Sequence, residues 1–121
     1  MKTSAIVLFF ATTLYSTINQ PSDFEGTWYS PEMDNMKIRV YQATDHLWYG
    51  KIVESNNEDD VGKLMLRKMS YNDPDNSLNG EAQKPDNFFV ANVKLQLKSK
   101  NELKLSVSKF MMSRSYILVR D

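Results

Sequence analysis

The chain has 121 residues with 15 basic and 15 acidic side chains, one histidine and no cysteine. That length suits one domain rather than two, and the balanced charge argues against nucleic acid or an anionic membrane surface as main partner, since both favour concentrated Lys and Arg. Without thiols the chain has no disulfides and no lipid anchor on an N-terminal cysteine.

The first 19 residues carry the most specific signal. Met1-Lys2 gives a short positive start, Ala5 to Leu14 (AIVLFFATTL) is uncharged and mostly apolar, and a polar stretch from Tyr15 to Asn19 follows. That order reads as a secretory signal peptide. The apolar run is about half of the ~20 residues a bilayer-spanning helix needs, so no transmembrane anchor is expected. Cutting after Asn19, behind Thr17, would leave Gln20 first and residues 20–121 as one exported domain, periplasmic or extracellular, with 14 basic against 15 acidic side chains.

Past the leader, period-two alternation dominates. The stretch FEGTWYS, residues 24–30, stands a few positions beyond it. Met36, Ile38 and Val40 then face one way while Lys37, Arg39 and Tyr41 face the other. Across the Ala43-Thr44-Asp45-His46 loop, Trp48, Gly50 and Ile52 form the matching face of the next strand. Val61 to Tyr71 fits both a helical stripe, through Val61, Leu64, Met65 and Met69, and a strand, and is read as strand. The turn-rich Asn72-Asp73-Pro74-Asp75-Asn76 introduces a short strand carrying Leu78, Gly80 and Ala82.

Phe89, Ala91, Val93, Leu95 and Leu97 share one face of the next strand. After Ser99-Lys100-Asn101, Leu103, Leu105 and Val107 alternate with Lys104, Ser106 and Ser108. Pairing 97 with 103, 95 with 105 and 93 with 107 puts every large aliphatic on one side of an antiparallel hairpin. Tyr116 to Arg120 makes a final strand. About eight short strands with one apolar face and too few residues for a covering layer predict an all-β fold, a small up-and-down antiparallel barrel. A sandwich of six to eight strands or a half-open barrel is the alternative.

GTWYS, WYGKIV at 48–53, VGKLML at 61–66, the glycine of LNGEAQKPDN at 78–87, LKLSV at 103–107 and LVR at 118–120 stand in an order that resembles a family of small exported bacterial proteins. That family is domain of unknown function 2147, whose members look like miniature lipocalins. The similarity covers nearly all of the chain past the leader, and Tyr116 stands in the region where the family usually shows a tryptophan. The family brings a fold and a compartment and no catalytic residues. In lipocalin-like barrels a Gly-x-Trp on the first strand packs with a basic residue on the last, which implies a structural closure of Gly26, Trp28 and Arg120, with Arg114 a second candidate. A guanidinium over an indole contributes roughly 0.5 to 2 kcal/mol. Otherwise Trp28 is an ordinary core aromatic and Arg120 a solvated terminal residue.

Catalytic and metal chemistry is poorly provided for, and neither a cofactor nor a metal is expected. His46, the single histidine, falls in a hairpin loop, and there is no cysteine to join it on zinc. Glu54, Glu58, Asp59, Asp60 and the Asp73-Pro74-Asp75 turn follow no calcium-loop spacing and read as solvated loops. No nucleophile elbow or phosphate loop occurs. What remains is an apolar inner face. Ile38, Val40, Trp48, Ile52, Phe89, Val93, Leu95 and Leu105 are the expected ligand-binding residues for a small apolar or amphipathic molecule. The alternative is a solid barrel whose outer aromatics, Tyr29, Tyr41, Tyr49 and Phe88, meet a protein partner.

Overall fold

The computed structural model describes residues 21–83 and 90–121. The expected leader at 1–19, Phe88 and Phe89 lie outside the described residues. Eight strands follow in order: β1 (Gly26–Ser30), β2 (Met36–Gln42), β3 (Trp48–Glu54), β4 (Leu64–Asn72), β5 (Ser77–Gln83), β6 (Val90–Ser99), β7 (Glu102–Lys109) and β8 (Met112–Arg120). Each pairs antiparallel with the next and β8 returns to β1, so the sheet is a closed up-and-down barrel of lipocalin-like form. Closure removes the sheet edges that an open sheet of this size would leave unpaired.

Side-chain alternation drives the register. Ile38 lies opposite Ile52 and Val40 opposite Gly50, while Lys37 and Arg39 stay on the outer surface. On β6 and β7, Val93, Leu95 and Leu97 pair with Val107, Leu105 and Leu103, the register the aliphatic pattern dictates. A one-residue slip would turn this whole set to solvent, so burial fixes the pairing. Each large side chain so buried contributes about 1.5–3 kcal/mol.

The segment that reads ambiguously in the sequence is β4, and its pairing explains why. Between Gly50↔Leu66 and Lys51↔Leu64, and again between Arg67↔Glu81 and Ser70↔Asn79, β4 spends one residue more than its partner. Each is a bulge that shifts the alternation by one. Met65 and Leu66 are therefore both buried, and Met69 re-enters the core after Lys68, whose φ is 50°. The inward residues 65, 66 and 69 mimic a helical stripe. Gly80 makes room for the second bulge: a Cβ there would lie 2.6 Å from the Arg67 carbonyl oxygen and 2.6 Å from Met69 Cγ.

β8 starts at Met112, four residues before the start that the sequence suggests, and pairs with β7 out to Lys109↔Met112. β1 pairs with β8 only through Trp28↔Arg120 and Tyr29↔Val119. From Met112 to Ile117, among the described residues, no strand lies on the outer side of β8. Here the Ile117 N–H donates to Glu32 Oε1 at 3.3 Å, joining the β1–β2 loop to the strand edge. On its β1 side the β7–β8 hairpin thus stands free as a lip, while β7 stays paired with β6 out to Asn92↔Ser108.

One end of the barrel is shut. The connections 43–47, 73–76 and 100–101 lie there, together with a 3-10 turn, Pro21–Phe24, that folds in ahead of β1. Phe24 is fully buried and meets Tyr71 edge-on with ring centres 6.5 Å apart. Its carbonyl accepts the Trp28 indole N–H at 3.0 Å, which satisfies the one polar atom of that buried ring. Arg120 Cζ stands 4.2 Å from the Trp28 ring centre. Its guanidinium donates to the carbonyls of Asp23, Glu25 and Lys100 at 2.8 to 3.1 Å. Gly26, at φ 145°, lets this happen, since a Cβ there would sit 2.5 Å from Arg120 Nη1.

Candidate functional site at the open mouth

The connections 31–35, 55–63 and 110–111 lie at the opposite end, and there the barrel opens into a cavity of about 650 Å³. Ligand pockets for small molecules run to ~300–1,000 Å³, so the space suits one such molecule. The floor is apolar, made by Met36, Met65, Ala82, Ala91, Val107 and Tyr116. Met33 closes one side from the β1–β2 loop and Met112 the other from the lip. Even-numbered strands run away from the mouth, and Met36, Met65 and Met112 stand at or next to the starts of β2, β4 and β8. Topology alone therefore gathers three methionines around one opening. Thioether side chains are unbranched and polarizable, which lets them adapt to ligands of irregular shape.

Charge is divided across the opening. Lys109 and Arg114 come from the lip, the latter with its Cζ 5.0 Å above the Tyr116 ring centre. Glu32, Asp34 and Asp60 come from the β1–β2 and β3–β4 connections. Asp60 ends a 3-10 turn, Glu58–Asp60, that Asn57 caps by accepting the Asp59 N–H at 3.2 Å. Contrary to the solvated loop expected of this acidic stretch, Asp60 is only 9% exposed. The turn folds it inward against the mouth.

The groups held away from their ordinary pKa lie elsewhere. Hydrogen bonding to Lys94 and then to Ser77 holds the Asp75 carboxyl below the usual carboxylate value, and the Tyr49 hydroxyl does the same for Asp45. Burial, ahead of nearby Asp73, pushes the Tyr71 phenol up. Among the described residues no cluster of three or more His, Cys, Asp and Glu is placed to hold a metal. Nor is any described helix long and apolar enough to cross a membrane.

Seven of the expected ligand-binding residues, Ile38, Val40, Trp48, Ile52, Val93, Leu95 and Leu105, are buried in the packed core between the mouth and the shut end. None of the seven lines the cavity. Phe89 lies outside the described residues. His46 is exposed at the shut end, in the left-handed region at φ 68°. The residues that do line the opening were readable only in part. Methionines at the mouth-side ends of even strands are a signal that follows once the up-and-down order is known, whereas the inward turn of Asp60 has none. Comparisons of the chain with protein-family models, with curated proteins and with solved structures return no match.

Proposed function

We propose that the protein is an exported carrier that takes up a small apolar or amphipathic molecule at the open mouth of its barrel. The observation that carries this reading is the methionine-floored cavity of about 650 Å³, set above a core that is filled and opposite an end that is shut. Export is supported by the order of charged, apolar and polar residues in the first 19 positions. The order of short motifs from GTWYS to LVR supports membership of the domain of unknown function 2147 family. Native mass spectrometry of the protein purified from its source, with titration by the neutral dye N-phenyl-1-naphthylamine, tests the uptake. Saturable binding of one dye per chain, displaced by medium-chain alcohols or acids, is expected. No retained mass and no saturable binding would sink the proposal.

A second reading, a protein-interaction module, has one observation of its own. The lip ends in Phe110 and Met111, 93% and 100% exposed. Exposed apolar tips of this kind mark contact surfaces in other proteins. Recovery of one stoichiometric partner by crosslinking, lost in Phe110→Ser, would favour this reading over a carrier.

A further inference from the structure

The mouth contains a carboxylate that no described side chain or backbone N–H engages. Asp60 is nine-tenths buried and lines the cavity. Its backbone is engaged, the N–H donating to the Asn57 carbonyl at 3.1 Å and its carbonyl accepting the Lys63 N–H at 3.2 Å. Among the described residues, however, no hydrogen bond or ion pair reaches its carboxylate. Of the other two acids at the opening, Glu32 already accepts from Ile117 and Asp34 is exposed to solvent. Neither carboxylate oxygen of Asp60 is among the fully buried atoms without a partner, so the group opens onto the cavity while the rest of the residue is covered. A charge-assisted contact formed there out of bulk water is among the strong ones. A ligand supplies what the chain omits.

We infer that Asp60 receives the positively charged group of the ligand, and that the ligand is a cationic amphiphile: an aliphatic or aromatic body bearing an ammonium. This rests on the carrier reading above and names the class of molecule carried. A hard metal cation does not fit, because calcium needs six to eight oxygens and magnesium an octahedron of them. Glu32 and Asp34 share the opening, but among the described residues no three acids are placed to hold a metal, and Asn57 Oδ1 is occupied by the Asp59 N–H. An ammonium needs one carboxylate and a polarizable apolar surround, which Met33, Met36 and Met65 provide. The cations at the lip, Lys109 and Arg114, stand on the other wall. There they disfavour a second positive charge, so the ligand's apolar end is directed toward the floor.

The test compares decylammonium, decanol and decanoate, each below its micelle-forming concentration, as competitors of N-phenyl-1-naphthylamine on the full-length exported protein. Decylammonium should bind roughly tenfold or more tightly than decanol, the size expected of a charge-assisted hydrogen bond out of water. Asp60→Asn should remove that advantage and leave decanol within about twofold. Arg114→Gln should not weaken decylammonium. Circular dichroism and dye binding by Asp60→Asn establish that the variant is folded. If Asp60→Asn does not fold, the wild-type ranking of the three competitors still decides. If decanol and decanoate bind as well as decylammonium, or Asp60→Asn leaves the ranking intact, the inference is overturned while the carrier reading stands. If neither the dye nor any competitor binds, both fall together.

Discussion

Arg120 lies over Trp28, its Cζ 4.2 Å from the ring centre, while its three nitrogens hold the carbonyls of Asp23, Glu25 and Lys100. One side chain next to the end of the chain thereby joins the turn before β1, the β6–β7 connection and the first strand. Replacing it with alanine removes the ring contact and leaves three carbonyls to find water. Arg120→Ala should cost about 2–3 kcal/mol, read as a lowered urea midpoint at unchanged slope. Arg120→Lys keeps the charge but not the planar fork, and should fall between the two. A midpoint for Arg120→Ala equal to wild type would show that the pairing is ornamental.

A different kind of tightness sets the second bulge of β4. Any side chain at position 80 meets backbone as well as side chain, the Arg67 carbonyl oxygen at 2.6 Å and Met69 Cα at 2.7 Å. Backbone cannot swing aside as a rotamer can. Gly80→Ala should therefore destabilise by about 1–3 kcal/mol even though alanine has the higher intrinsic order. Thermal unfolding checks it, and Gly80→Ala with a midpoint at or above wild type would contradict the packing.

These two contacts also show how far the sequence could be read. The register of β6 on β7 follows from Val93, Leu95 and Leu97 facing Val107, Leu105 and Leu103, because one face is buried and the period of two has no competitor. β4 resisted, since two bulges break that period and set Met65, Leu66 and Met69 inward. The first half of β8 was invisible for the opposite reason. Ser113, Arg114 and Ser115 are exposed and bury no face, so no hydrophobic alternation announces the strand. The site suffered similarly. Inward-facing aliphatics indicate where a barrel is apolar, but not at which depth side chains stop filling it. The cavity is bounded by loops and strand ends rather than by the central residues such as Leu95.

Acid should weaken one outer-surface link in a defined direction. Lys94 Nζ lies 2.6 Å from Asp75 Oδ2 and the Ser77 hydroxyl donates to Oδ1 at 2.6 Å, holding the folded carboxyl below its ordinary 3.8. A depressed folded pKa gives stability that is present above the unfolded value and lost as pH falls through the folded one. The contribution is small because both side chains are substantially exposed. Melting temperatures at about pH 6 and about pH 2.5 should differ less in Asp75→Asn than in wild type. An identical pH dependence in the two proteins would mean that the link is absent in solution.

Depth in the barrel should separate binding from stability. Ala91 lines the mouth cavity, whereas Leu95, two inward positions further along β6, is fully buried in the core. Ala91→Trp places an indole where the ligand would sit, at a site with open space above it. It should cut dye affinity tenfold or more while changing stability by less than about 1 kcal/mol. Leu95→Ala leaves a cavity in packed surroundings and should cost about 2–5 kcal/mol with dye affinity within about threefold of wild type. Dye titration and urea unfolding on the same two variants decide the matter. If Leu95→Ala moves affinity and Ala91→Trp does not, the ligand occupies the lumen and not the mouth.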